Sequence, residues 1–297
     1  MNRKKFLKLI TIAPLVGAAM NLQELEKLTN SFEETTEMPV LFLGHGSPMI
    51  AIEENQFVTG FRDIVKKIPT PKAILCISAH WETKGTFVTA MTTPPTIHDF
   101  GGFPQALHNV QYPAPGDPNL ANEIKNLVKL TEIGLTLDWG LDHGAWTVIK
   151  HMYPDANIPI IEFSLDYRRS PEQHYQLAEE LKALRKKGIL IIGSGNIVHN
   201  LRAVAWNRIN DTFGFDWNLE VSDQIKKAIL DRNHSLLTNP YAQGEAFKLA
   251  IPTPEHYLPL LYTLALQNNK DEISFFNDEP VAGSLSMTSV YIGSKPN

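Results

Sequence analysis

The stretch Val40-Leu41-Phe42-Leu43-Gly44-His45-Gly46-Ser47-Pro48 runs four apolar residues straight into a histidine flanked by glycines. A short unbroken apolar run fits a strand buried on both faces, and Gly44 and Gly46 permit a tight turn with close backbone approach around His45. The pattern recurs twice. Residues 73–79 (AILCISA) lead into His80, and residues 189–198 (ILIIGSGNIV) lead into His199. In open α/β sheets, ligands collect beyond the carboxyl ends of the strands. Three strands delivering three histidines therefore predict a single histidine-lined metal site at one edge of a sheet.

Outward from these strands, apolar spacing predicts helices over 57–65, 117–130, 145–152, 171–187, 216–231 and from Thr253-Pro254 to about residue 267. Pro171 and Gly188 are the start and stop signals of the fourth, and Thr253 and Pro254 are the cap and first residue of the last. One more helix is expected to enter through Gly195-Asn196, with Asn196 as its N-cap, and Asp142-His143-Gly144 is expected in a turn. Further strands are expected over 86–90, 158–163 and 284–293. The alternation predicts a single α/β domain over residues 39–297, with a central mostly parallel or mixed sheet flanked by helices. Residues 92–118 are too rich in proline for a regular element, yet Phe100, Phe103 and Tyr112 argue for order. Such a loop suits the wall or lid of a pocket.

Composition narrows the function classes. Hydrophobic residues make up 43% and charged residues 20% of the 297, as in an ordinary globular chain. The net charge of −5, with no basic cluster beyond the first eight residues, argues against a nucleic-acid partner. The single cysteine, Cys76, lies inside a predicted strand and reads as an inert core thiol. Residues 1–38 read as a signal-like segment and an acidic spacer. Arg3, Lys4, Lys5 and Lys8 precede an apolar run, Leu9 to Ala19, too short to span a bilayer, so no stable membrane insertion is expected. The basic start resembles a degraded twin-arginine signal, with Lys4 where the second arginine belongs. A cytoplasmic location is expected, with export to a periplasm as the alternative. Leu22, Leu25 and Leu28 have near-helical spacing within this segment.

Of the ten histidines, His45, His80, His199 and His256 are the candidate metal ligands. They are far apart in sequence, and what unites them is context rather than spacing. His199 and His256 are each expected in the first turn of a helix, where side chains lean back toward the strand ends. His151, His174 and His234 are expected to be structural, and His98 sits in the pocket-wall loop. The turn Gly193-Ser194-Gly195-Asn196 lacks the lysine of a phosphate-binding loop and matches neither nucleotide fingerprint.

Six stretches together resemble the 4,5-DOPA extradiol dioxygenase family, within the class III ring-opening enzymes of the protocatechuate 4,5-dioxygenase β-subunit type. They are Gly44-His45-Gly46-Ser47-Pro48, Ser78-Ala79-His80-Trp81, PPTIHDFGGF from Pro94 with Pro104, Asp142-His143-Gly144, GNIVHN from Gly195 and PTPEHYLP from Pro252. The resemblance implies one divalent metal at His45, His80, His199 and His256, a catechol such as DOPA as substrate with O2, and His143 in the pocket. Other branches of the superfamily use a glutamate as third ligand; here Glu255 neighbours His256, and His256 is taken as the ligand. His199 is either a ligand or, with His143, an acid/base. A metal with open positions can lower the pKa of both catechol oxygens, and a nearby histidine can accept a phenolic proton near neutral pH. Dioxygen chemistry needs a redox-active metal, so Fe(II) is expected for activity, with Zn(II) an occupant of purified protein. Two alternatives use the same fold: a zinc hydrolase, and a non-catalytic metal-binding protein like the mediator-of-cell-motility branch. The sequence does not fix the oligomeric state.

Overall fold

In the computed structural model of the protein, residues 37–295 are described. The signal-like segment, with Leu22, Leu25 and Leu28, lies outside them. The apolar runs form the centre of the fold. Val40–Gly44 (β1), Ala73–Ser78 (β2), Ile160–Glu162 (β3), Ile189–Gly195 (β4), Glu272–Phe276 (β5) and Ser289–Gly293 (β6) make one sheet in the order β3-β2-β4-β1-β6-β5. The first four in that order are parallel neighbours, and β6 and β5 join antiparallel, so the sheet is mixed. Because β1, β2 and β4 are mutually parallel, the residues that follow Gly44, Ser78 and Gly195 all emerge at one edge.

Successive side chains alternate between two buried faces, which is why these strands read as continuous apolar runs. Val40, Phe42, Leu75, Ile77 and Ile191 pack with Pro118–Leu127 (α2), Pro171–Glu179 (α4), Asp216–Leu230 (α5) and Leu258–Ala265 (α6). Leu41, Leu43, Ile74, Cys76, Leu190 and Ile192 pack with Gln56–Val65 (α1) and His143–Met152 (α3). Each such side chain contributes about 1.5–3 kcal/mol by leaving water. Burial pushes the Cys76 thiol up, as an inert core group requires.

Local signals fix most helix starts. Asn55 accepts from the Phe57 and Val58 amides, Asp117 from Leu120, and Ser170 forms a reciprocal capping box with Gln173. Three expectations need correction. Helix α3 begins at His143, not Ala145, because Asp142 accepts from the Ala145 amide and is the N-cap. No helix follows Gly195-Asn196: the Asn196 side chain donates to the Ser286 carbonyl instead of capping, and only a short 3-10 turn, Leu201–Ala203, follows His199. The last long helix starts at Leu258, since the Thr253 hydroxyl donates to Glu255 rather than capping a backbone N–H. The segment 171–187 is helical throughout, but its second half tightens to 3-10 before Gly188 takes the left-handed conformation at φ 82°.

A compact unit runs from Glu37 onward. Met38 is buried; its amide donates to the Arg185 carbonyl at 3.0 Å, and its carbonyl accepts from Arg185 Nε at 2.7 Å. Arg185 is itself fully buried and also binds the Leu266 carbonyl and both oxygens of Asp271. Among the described residues no helix is long and apolar enough to cross a membrane.

Candidate metal centre and its acid–base neighbours

Each proposed ligand reaches the sheet edge by a different local device. His45 follows β1 directly, and its amide donates to the Gly195 carbonyl of the neighbouring strand at 3.0 Å. His80 follows β2, with its amide held by the Ser78 hydroxyl at 3.2 Å. His256 stands in the turns before α6, and a close approach of backbone to backbone places it there. A Cβ on Gly195 would sit 2.1 Å from the His256 carbonyl oxygen, so only glycine lets this segment lie on the end of β4. The Asn196 amide donates to that same carbonyl at 2.9 Å.

Donor nitrogens of His45, His80 and His256 lie within 4.8 Å of one another. His45 Nε2 and His80 Nε2 are 3.3 Å apart. Two nitrogens bound tetrahedrally at 2.0–2.1 Å stand about 3.3 Å apart, so this spacing fits one metal ion between them. The protonation states fit as well. Burial, reinforced by neighbouring histidines, holds His45 and His256 well below the usual imidazole range and takes His80 down to about 3. All three are therefore neutral donors at physiological pH. Nδ1 of His256 donates to the Glu255 carboxylate at 3.1 Å, which leaves Nε2 with its lone pair. The same Glu255 oxygen also accepts from the Thr253 hydroxyl at 2.9 Å.

His199 is placed differently from the other three. Its ring stacks face to face on His256, with centroids 3.5 Å apart and planes 6° from parallel. Its donor atom groups with those of His256 and Glu255, not with those of His45 and His80. Its backbone is extended, the amide donating to Ala250, which is why it is not in a helix turn as expected. Burial lowers its pKa to about 4, against the opposing pull of Glu255.

His143 stands beside the cluster, its ring centroid 3.8 Å from that of His80 and 5.9 Å from that of His45. Its partner is Asp99, from the proline-rich loop. One Asp99 oxygen accepts the His143 amide and the other accepts Nδ1–H, both at 2.9 Å, so in the neutral ring Nε2 carries the lone pair. Burial pushes the Asp99 carboxyl up, but the bonds and proximity to His143 outweigh it and hold it below its ordinary value. Asp142, adjacent in sequence, turns the other way, accepting from the Ser78 hydroxyl and the Ala145 amide. Gly144 packs hard against this corner, where a Cβ would lie 2.8 Å from the His80 ring and 2.5 Å from Ser78 Oγ.

The loop is ordered, as its aromatics suggest. The Ile97 amide donates to the Leu141 carbonyl and the Leu141 amide to the Pro95 carbonyl, Trp146 Nε1 donates to the Ile97 carbonyl, and Phe100 stands edge-on to His143 at 5.5 Å. His98 is taken up by the Val110 carbonyl, His151 by Ile50, His174 by Tyr262 and His234 by Tyr175. Each of the four thus has a ring nitrogen engaged with another part of the fold. Sequence reading missed Asp99, although the HDF triplet within the pocket-wall loop was its available signal, and it treated Ser194 only as part of a rejected phosphate loop.

A mixed α/β sheet with histidines gathered at its strand ends defines the class to which this chain belongs: residues 39–251 match the family of the catalytic LigB subunit of aromatic ring-opening dioxygenases. His45, His80, His143 and His199 fall within that match, and His256 lies just beyond it. Within the class, the chain is 46% identical to an Escherichia coli (strain K12) protein named 4,5-DOPA dioxygenase extradiol, over 87% of this chain and 96% of that one. A Beta vulgaris protein of the same name is 35% identical over 78% of this chain and 88% of its own. A crystal structure of an uncharacterised Escherichia coli K12 protein superposes with a TM-score of 0.73 at 40% identity, covering 86% of this chain and all of that one.

Proposed function

We infer that this protein is a metal-dependent extradiol dioxygenase that opens the ring of catechols, DOPA among them, with O2. The observation that carries the reading is the three-imidazole cluster of His45, His80 and His256 with the Asp99–His143 pair alongside it. Imidazole donors suit iron and zinc alike. One divalent ion held there supplies Lewis acidity toward the two catechol oxygens and, as Fe(II) but not as d¹⁰ Zn(II), the redox capacity that dioxygen demands.

The chain's own residues account for binding and proton movement. Phe100, edge-on to His143 and backed by Phe103, presents apolar surface against which an aromatic ring can lie. Nε2 of His143, free because Asp99 holds the proton on Nδ1, accepts a phenolic proton from the substrate and later returns it. Asp99 keeps the ring in that tautomer and stabilises the imidazolium formed. The reaction breaks one ring C–C bond beside a hydroxyl-bearing carbon, and both oxygen atoms of O2 end in the product.

Reconstituting metal-free protein anaerobically with Fe(II) or Zn(II), then admitting O2 and catechol, tests the reading. The Fe(II) protein is expected to consume oxygen and release a yellow ring-opened product, and the Zn(II) protein to do neither. Hydrolytic activity of the Zn(II) form without oxygen uptake by the Fe(II) form would replace this reading with that of a hydrolase.

A further inference from the structure

Ser194 is fully buried near the end of β4, in register with Leu43 of β1 on one side and Ser78 of β2 on the other. Its hydroxyl meets two partners. It donates to the Gly144 carbonyl, and its oxygen lies 3.0 Å from Nδ1 of His45. A carbonyl oxygen only accepts, so the single hydroxyl proton is committed to Gly144. Toward His45 the serine can act only as an acceptor. Nδ1 of His45 must then carry the imidazole proton, and Nε2, which faces His80, must carry the lone pair. The opposite tautomer would set two lone pairs against each other in a place closed to water.

We propose that Ser194 is a positioning residue for the metal centre, fixing His45 in the Nδ1–H tautomer so that Nε2 is presented as a donor. The inference rests on the reading of His45 as a ligand. Both anchors are rigid: Ser194 is held between two strands, and Gly144 is the second residue of α3, whose start Asp142 caps. Because Gly144 follows His143, the same hydroxyl also ties the helix that carries the acid–base histidine to the ligand on β1. A single buried side chain thereby sets the spacing of two functional groups from different elements.

The test is the Zn(II) affinity of Ser194→Ala, measured by competition with a chromophoric chelator. It is expected to fall roughly 10- to 100-fold, the usual effect of removing the partner of a ligating histidine. Ser164→Ala is the control. That buried serine accepts the Phe87 amide at 2.8 Å and bonds the Thr83 hydroxyl at 2.7 Å, and none of its bonds involves a histidine. It should lower the melting temperature and leave Zn(II) affinity unchanged. A measurement on the unaltered, metal-free protein keeps the proposal testable should Ser194→Ala fold poorly: two-bond ¹H–¹⁵N correlation should show His45 protonated at Nδ1. Wild-type affinity in Ser194→Ala, or a His45 protonated at Nε2, would overturn the inference. His45→Ala separates the two levels: if it keeps full metal, the ligand reading fails and Ser194 with it; if it loses metal while Ser194→Ala does not, only the role of Ser194 falls.

Discussion

Replacing Asp99 with asparagine removes a charge and one acceptor from the pair that sets the His143 tautomer. In the native site both Asp99 oxygens accept from His143, one from the backbone amide and one from Nδ1–H. An asparagine offers one acceptor and one donor to the same two positions. With the amide oxygen on Nδ1–H, the amide N–H meets the backbone N–H; with the oxygen on the backbone N–H, the amide N–H meets Nδ1 and drives the imidazole proton to Nε2, which would abolish the base. Keeping the active tautomer leaves a donor unsatisfied, about 1–3 kcal/mol, and forfeits charge assistance worth about 1 kcal/mol. The sum, about 2–4 kcal/mol, corresponds to a loss in kcat of roughly 30- to 1000-fold. Oxygen uptake by Fe(II)-loaded protein at saturating catechol is the assay, with metal content measured on the same sample. Metal should be retained, because Asp99 groups with His80 and His143 and not with the His45, His80 and His256 set, and its Oδ2 stands 3.8 Å from His80 Nδ1, too far for a hydrogen bond. A kcat within about threefold of wild type at full metal occupancy would refute the acid–base role. Parallel loss of metal and turnover would assign Asp99 to the metal instead.

Single alanine variants of His45, His80 and His256 should each bind metal at least an order of magnitude more weakly, whereas His199→Ala, stacked on His256 but outside the three-donor group, should lose less; equal losses in a chelator competition would make His199 an equivalent ligand. Arg185→Met should lower stability by about 3–5 kcal/mol in urea unfolding, because Asp271 is left buried without its cation; a change under 1 kcal/mol would contradict the buried pairing. Burial takes His174 down to about 4. Between that value and the unfolded pKa near 6.5 the unfolded chain binds the extra proton, so stability falls as pH drops through this window, by up to about 3 kcal/mol at its lower end. His174→Asn, whose amide can keep the bond to Tyr262, should flatten that fall relative to wild type. Parallel curves for the two proteins would show that His174 contributes nothing to it.

The sheet was legible because strands buried on both faces leave unbroken apolar runs. The histidines of β1 and β2 were legible because each follows such a run directly. What escaped depends on where side chains send their hydrogen bonds. Asn196 and Thr253 are good capping residues by type, but one is drawn to Ser286 and the other to Glu255, so neither starts a helix. Asp142 is next to His143 in sequence, yet as N-cap it faces the helix amides and Ser78. Asp99 lies far from His143 along the chain, and only the path of the proline-rich loop, pinned by Leu141 and Trp146, brings the two together. Ser194 was invisible for a related reason: a serine within an apolar strand gains meaning only from what the neighbouring strand and helix place against it.

Isotope incorporation from ¹⁸O2 tests the proposed activity most directly. Protein reconstituted with Fe(II) and given a catechol under ¹⁸O2 in ordinary water should yield a ring-opened product that, trapped before carbonyl exchange and weighed by mass spectrometry, carries both labelled atoms. A product carrying oxygen from water alone, or catechol recovered intact from protein with full Fe(II) occupancy, would contradict ring-opening dioxygenation at the histidine cluster.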